Sequence, residues 1–254
     1  MPASTIFCPF CGVLDHRKFG MDRCRRQRYQ CLTCKKVFTR RTRTFASGSQ
    51  LSERQWNDAM RKFCKRAGES AEDMAREMQI NRKTAQRLNR TFRALVKELE
   101  PKSLPGATEW DESVAIRFQW VAGGVSRALK QCLLRPVHDR SERTLAPLVE
   151  DHTDSDSPVF TDEWLGYCNL LNHWTVCHAR EFVRKEARFV HTNTIEGVWG
   201  HLKPLGRHVY RGFPRSTLDS YLSEFMFRYN LRDYETRVSV LSALLTRKIN
   251  SLLV

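Results

Sequence analysis

Between Val190 and Lys203 the chain reads V-H-T-N-T-I-E-G-V-W-G-H-L-K, and helical spacing sorts these residues onto two faces. Ile195, Val198, Trp199 and Leu202 recur at i, i+3, i+4 and i+7, an apolar stripe that can seat a helix on a core. Asn193, Glu196 and Lys203 fall along another face, which presents an amide, a carboxylate and an ammonium together. Two more acids stand beside strand-like runs: Asp111 within T-E-W-D-E-S-V-A-I, and Asp162 directly after V-F-T. Two strand-borne acids and one helix-borne acid are the ingredients of a divalent-metal site for phosphodiester chemistry.

The elements that must hold these residues read as mixed α/β. Strands are expected near 109–116, 118–126 and 131–137, then a helix over 143–152. A fourth strand, 159–161, leads into Asp162, with a helix over 164–172 and a short strand holding Val176 and Cys177. After the polar-faced helix, which Pro204 is expected to stop, come helices over 216–229 and 235–253; the last, with Leu241, Leu244 and Leu245, reads as core.

Upstream, Pro101-Lys-Ser-Leu-Pro105-Gly106 reads as a linker. Before it, 51–66 has the pattern of one helix ended by Gly68, and Ser70-Ala-Glu-Asp73 has the form of a capping box opening a helix to about Met78. Gln79, Ile80 and Asn81 give a turn, and Ala85, Leu88, Phe92, Leu95, Val96 and Leu99 keep helical spacing beyond it. Two helices around a tight turn, the second carrying Arg82, Lys83, Gln86, Arg87 and Arg90 on its polar side, have the form of a helix-turn-helix.

Cys8-Pro-Phe-Cys11 and Cys31-Leu-Thr-Cys34 are two knuckles 19 residues apart, a spacing that closes four thiolates tetrahedrally on one Zn²⁺ per chain. Cys24, between them, reads as a spectator. So short a segment buries little apolar surface, so the metal must supply much of its folding free energy. Around the knuckles lie Arg23, Arg25, Arg26, Arg28, Lys35, Lys36, Arg40, Arg41 and Arg43, suited to phosphate contacts. Residues 1–100 hold 23 Lys and Arg against 10 Asp and Glu, whereas residues 101–254 hold 20 against 18. Nearly all of the net +15 thus sits in the first 100 residues, as expected if they grip double-stranded DNA. The expected domains are a zinc ribbon (1–46), a helix-turn-helix DNA-binding domain (47–100), a linker (101–106), a catalytic domain (107–233) and a C-terminal helix (234–254). No apolar run is long enough to span a membrane, the start lacks a signal-peptide segment, and the nine cysteines include two Cys-x-x-Cys pairs, so a reducing, intracellular setting is expected.

Three strands, then alternating helices and strands, with acids on the first strand, after the fourth and on a late helix, is the layout of the ribonuclease-H-like fold. At these residues the chain resembles a DDE-type insertion-sequence transposase of the Merlin group, whose members join a zinc ribbon, a helix-turn-helix and such a domain. The matching stretches are the cysteine knuckles, W-D-E-S at Trp110, T-D-E-W-L-G-Y at Thr161, C-H-A-R-E-F-V at Cys177, the block from His191 to Lys203, and F-R-Y-N at Phe227. The resemblance implies Asp111 and Asp162 as the first two metal ligands and Lys203 as the basic residue accompanying the third. For that third ligand it admits an asparagine or a glutamate, and the sequence offers Asn193 and Glu196. Spacing favours Glu196, 34 positions after Asp162 and 7 before Lys203, and a carboxylate suits a hard cation better than an amide does.

The implied reaction is in-line displacement at phosphorus. Two Mg²⁺ or Mn²⁺ ions about 4 Å apart activate water to cut an element end, then activate the freed 3′-hydroxyl against target DNA. The implied partners are element-end and target DNA and at least a second copy of the chain, in the cytoplasm of a bacterial or archaeal host, at the nucleoid. No covalent protein intermediate is needed, so Tyr167 reads as a packing residue. Glu112, facing away from the site on a regular strand, and Glu163 read as spectators, Trp164 and Trp199 as core, and His178 and His191 as phosphate contacts or backbone-bonded histidines. The competing reading is a catalytically silent sequence-specific DNA-binding regulator, and a third is a structure-specific nuclease that leaves the helix-turn-helix unexplained.

Overall fold

The computed structural model describes residues 6–44, 46–115, 119–176 and 187–251. The chain divides into two compact units, residues 1–61 with 238–254, and residues 62–237. Among the described residues no helix is long and apolar enough to cross a membrane.

The first unit opens on an antiparallel ribbon of β1 (His16–Met21), β2 (Gln27–Cys31) and β3 (Val37–Thr39). Its core holds little more than Cys8, Tyr29, Cys31 and Phe38, too little apolar surface to fold such a segment alone. Helix α1 (Glu53–Phe63) starts two residues later than its apolar pattern because Ser52 caps it: Gln55 N–H donates to Ser52 Oγ and Ser52 N–H donates to Gln55 Oε1. It ends three residues before Arg66, and Gly68 beyond it takes the left-handed conformation (φ 72°).

The second unit holds α2 (Ala71–Met78), capped by Ser70 as expected, and α3 (Arg82–Val96), capped by Asn81 of the turn before it. Asp73 N–H donates to Ser70 Oγ, Gln79 turns the chain at φ 52°, and Lys83 N–H donates to Asn81 Oδ1 at 2.8 Å. A mixed sheet follows, of β4 (Thr108–Ala115), β5 (Gln119–Ser126), β6 (Cys132–Val137), β7 (Val159–Thr161) and β8 (His173–Thr175), in the order β6-β5-β4-β7-β8. The first three strands are antiparallel, while β7 runs parallel to β4 and β8 parallel to β7.

One face of the sheet packs on α5 (Asn193–Pro204) and α6 (Leu218–Asn230), the other on α4 (Glu142–His152) and the turn around Tyr167. Two adjacent glycines of β5 let both faces close. A Cβ on Gly123 would stand 2.7 Å from the Trp199 ring, and one on Gly124 would stand 2.5 Å from the Trp110 ring on the opposite face. Helix α7 (Tyr234–Ser251) closes the chain; its Leu241 and Leu244 are buried, as core residues should be.

Three expectations are corrected here. The supposed linker 101–106 does not separate compact units: Leu104 is fully buried beside Trp110, and its N–H donates to His152 O. The expected helix over 164–172 is only a 3₁₀ turn, Leu165–Tyr167, because Tyr167 and Leu170 are buried while Leu165 and Leu171 face outward, leaving no apolar stripe to seat a helix. Pro204 does not stop α5. The missing N–H is absorbed by a π-helical turn, Leu205–Val209, that carries the helix on.

Arg93 of α3 and Arg228 of α6 both pair with the fully buried Glu224, and Tyr210 O–H donates to the same carboxylate at 2.6 Å. Arg228 also donates to Phe63 O. The helix after the tight turn is thereby fixed to the sheet-bearing part of the unit by a satisfied ion network.

Candidate functional site

Parallel pairing sets Thr108 beside Val159 and Glu109 beside Phe160. Two residues further along β4 comes Asp111, and directly after the end of β7 comes Asp162, whose charge reaches the Asp111 carboxyl. Burial, together with the neighbouring carboxylates of Asp162 and Glu112, pushes the Asp111 carboxyl up to about 7, against the lowering effect of a bond from Trp199. That bond runs from Trp199 Nε1–H to Asp111 Oδ2 at 2.8 Å, while Asp111 Oδ1 accepts Glu112 N–H. Each oxygen keeps a lone pair free for a cation. Asp162 Oδ1 accepts Trp164 N–H at 3.0 Å, which fixes the carboxylate where the strand ends.

Trp199 belongs to the core, as expected, yet its indole N–H also ties α5 to the first acid. At about 100° per residue, Glu196 lies roughly 60° and Lys203 about 40° around the helix from Trp199, whereas Asn193 lies about 120° away. Both Glu196 and Asn193 are exposed, and Lys203 is half-buried. Among the described residues, the only three or more Cys, His, Asp or Glu ligand atoms gathered within 4.8 Å of one another are the four cysteine thiols, so the acids do not converge to that degree.

Glu109, which the sequence reading passed over, is fully buried and sets the start of α5. The residue preceding the helix, Thr192, makes no side-chain cap to it; instead Thr194 and Ile195 N–H both donate to Glu109 Oε2, at 2.7 and 3.0 Å. A carboxylate on those two N–H groups also complements the helix dipole. Glu109 Oε1 accepts Arg127 Nε–H at 2.7 Å and lies 3.2 Å from His191 Nδ1, so β4, the β5–β6 turn and the start of α5 meet at one side chain. No local motif betrays this, since Glu109 and Thr194 are 85 positions apart in sequence.

Glu112 does face the other side of the sheet, where it is buried, accepts Tyr167 O–H at 2.8 Å and pairs with Arg140 at 3.1 Å. Tyr167 is fully buried, as a packing residue should be. Glu163 is exposed. Trp164 is not core: it lies at the surface, with its indole N–H donating to Arg140 O and the Arg140 guanidinium 3.8 Å over its ring, a cation–π contact. His173 Nε2 lies 2.7 Å from Thr161 Oγ1 beside Asp162, and burial lowers its pKa. His178 lies outside the described residues.

In the ribbon, Cys8, Cys11, Cys31 and Cys34 bring their sulfurs together. The two knuckles repeat one geometry. Gly12 N–H bonds back to Cys8 O and Lys35 N–H to Cys31 O, with Gly12 and Lys35 both at positive φ (73° and 59°). Burial pushes the Cys31 thiol up, but bonds from Cys34 and Thr33 N–H and from neighbouring thiols outweigh it and lower its pKa to about 6, toward the thiolate a metal takes. Cys24 stays outside the cluster.

Of the residues expected to contact DNA, Arg25, Lys35, Lys36, Arg82, Lys83, Arg87 and Arg90 are exposed, and Arg28 and Gln86 half-buried. Arg26 is engaged internally, its guanidinium donating to Ser49 O and Leu51 O; Arg41 also donates to Leu51 O.

Residues 116–230 match the ISXO2-like transposase domain family. An uncharacterized transposase-like protein of Haemophilus influenzae is 28% identical over 107 residues, which cover 40% of this chain and 82% of that relative. These likenesses bear out the resemblance to insertion-sequence transposases and support a transposase role. The family match begins just beyond Asp111 and takes in Asp162, Asn193, Glu196 and Lys203.

Proposed function

We propose that this chain, which carries an ISXO2-like domain over residues 116–230, is a DNA transposase that binds the inverted ends of its element, cleaves them and joins them to target DNA. The observation that carries the proposal is the placement of Asp111 on β4 and of Asp162 directly after the adjacent parallel strand β7, near enough that the Asp162 charge raises the Asp111 carboxyl, with the Glu196 and Lys203 side of α5 tied to Asp111 through Trp199. The strand order β6-β5-β4-β7-β8, antiparallel then parallel, supports a ribonuclease-H-like domain around them.

The donor set fits hard divalent cations. Asp111 is buried close enough to Asp162 for each negative charge to raise the cost of the other, which a cation relieves. Asp111, Asp162 and Glu196 would hold Mg²⁺ or Mn²⁺, supplying Lewis acidity toward a phosphodiester. Glu109 and Trp199 orient the helix against the strand, and the Lys203 ammonium offers charge to the phosphate. Attack by water in line with the departing oxygen breaks the P–O bond and leaves a 3′-hydroxyl, which attacks a target phosphodiester in the second step.

Cys8, Cys11, Cys31 and Cys34 would hold one Zn²⁺ that folds the ribbon. The exposed cations of the ribbon and of α3 would grip duplex DNA, with α3 as recognition helix, and pairing two ends calls for at least a dimer. The test is incubation with Mg²⁺ and labelled DNA carrying the element's ends. End-specific cleavage with a joined product is the expected result. Specific binding without cleavage would instead favour the silent regulator, and cleavage without end preference a nuclease.

A further inference from the structure

The chain connecting α1 to α2, the C-terminal half of α5 with its π-helical turn, and α6 enclose a cavity of about 680 Å³. Arg66, His201, His208, Arg228 and Arg232 line it, apolar side chains fill the rest of its wall, and among the described residues lining it there is no carboxylate. Arg228 is held from behind by Glu224, while Arg66, His201, His208 and Arg232 are exposed. Tyr229 forms part of the wall, with the His201 ring centroid 6.2 Å from its own and the Arg232 guanidinium 5.8 Å from it.

This cavity is not the acid site. His201 lies about 140° around α5 from Glu196 at 100° per residue, so the two open on different sides of the helix. Three guanidiniums and two imidazoles with no acid among the lining residues favour an anion, and Tyr229, stacked on Phe225, leaves aromatic surface in the wall for a base. The volume falls within the range of about 300–1,000 Å³ common to ligand pockets. A base within a duplex, stacked on both sides and paired, cannot enter such a recess. An unpaired base can, with its phosphate left among the guanidiniums and imidazoles.

We infer that this cavity binds an unpaired nucleotide of a DNA strand, the base against Tyr229 and the backbone phosphate on His208, Arg232 and Arg66. The choice of DNA rests on the proposed function. The test reads binding rather than cleavage, so a failed cleavage assay and a failed pocket remain distinguishable.

The test uses the full chain, with fluorescence anisotropy of a labelled single-stranded oligonucleotide and of a duplex of equal length at one salt concentration. In the double variant Arg232→Glu with His208→Glu, single-strand affinity is expected to fall about tenfold or more while duplex affinity stays within about twofold, because duplex is gripped elsewhere. Arg143→Glu, an exposed site on α4, controls for charge alone and should leave both affinities nearly unchanged. Unchanged single-strand affinity in the double variant, an equal fall for duplex, or a mononucleotide competing as well as the oligonucleotide would overturn the inference. A second readout needs no variant: 2-aminopurine in the single-stranded probe should lose fluorescence on binding the wild-type protein, and undiminished fluorescence in the bound state would also overturn it.

Discussion

Trp199 donates its indole N–H to Asp111 Oδ2 at 2.8 Å, so the residue that seats α5 on the sheet also orients the first carboxylate of the proposed site. Packing and chemistry can be separated there. Trp199→Phe keeps an aromatic ring over Gly123 but removes the donor; a bond to a charged group is worth about 1.5–3 kcal/mol. Cleavage of a labelled element end is expected to slow about tenfold or more with end binding intact. Wild-type cleavage by the variant would mean that the bond has no part in orienting Asp111.

The Asp162 charge, just past the end of the neighbouring strand, helps raise the Asp111 carboxyl, so the two carboxylates repel one another. Asp162→Asn should therefore stabilise the metal-free protein by about 1 kcal/mol, a Tm rise of roughly 2–4 °C for a domain of this size, while abolishing cleavage. In the wild type, Ca²⁺ should raise Tm; in the variant that rise should vanish. Thermal scans in EDTA and in Ca²⁺ decide it, and a lower Tm for the variant in EDTA would contradict the repulsion.

Glu196 and Asn193 are the two candidates for the third ligand of the proposed metal site, and helix phase places Glu196 nearer the side held by Trp199. Glu196→Gln is expected to abolish Mg²⁺-dependent cleavage with end binding in Ca²⁺ preserved, whereas Asn193→Ala should keep reduced activity, because Mg²⁺ shells accept solvent in place of a neutral ligand. The reverse outcome would assign the ligand to Asn193.

Replacing Cys8 or Cys34 with Ser should cost one zinc per chain by atomic absorption and unfold the ribbon, whose apolar core is only a handful of residues. The sheet-bearing unit, with its own core on both faces, should still melt cooperatively. Unchanged zinc content would sink the assignment.

Burial alone would raise the Glu224 carboxyl, but the guanidiniums of Arg228 and Arg93 outweigh it and hold the pKa below the usual value of 4.5. A depressed carboxylate stabilises fully above its unfolded pKa and loses that contribution as pH falls through its folded one. Glu224→Gln leaves two arginines without their partner and should cost about 3–5 kcal/mol at pH 7. The gap to wild type should narrow in urea titrations below pH 4.5, where the wild type loses its own advantage. A gap constant from pH 7 to pH 3 would contradict the network.

Local signals carried a good part of the fold. The cysteine spacing marked the ribbon, period-2 runs placed β4 to β7 within a residue or two, Ser70 announced the cap of α2, and the turn at Gln79 to Asn81 marked where α3 begins. Failures came where the deciding partner lies far along the chain. Pro101 to Gly106 has linker chemistry, but Leu104 finds a core that only the folded sheet creates. Asp111, Asp162 and the two faces of α5 could be read from pattern, whereas the Glu109 cap and the Trp199 bond depend on contacts across more than 80 residues. The Gly123–Gly124 pair was the one signal in plain view, since adjacent glycines inside a strand mark close approach on both faces.

Gly123 contributes no side chain, yet it ties two properties of the molecule that are usually free to vary apart. The space of one absent methyl is filled by Leu134 and the Trp199 ring, and the N–H on the same edge of that indole holds Asp111. A Gly123→Ala change would push the ring outward and swing the carboxylate with it, so one mutational step would be felt by the core and by the chemistry together. Changes at position 123 therefore reach the core and the proposed site at once, whereas the exposed side of α5, with Asn193 and Glu196, does not share that contact.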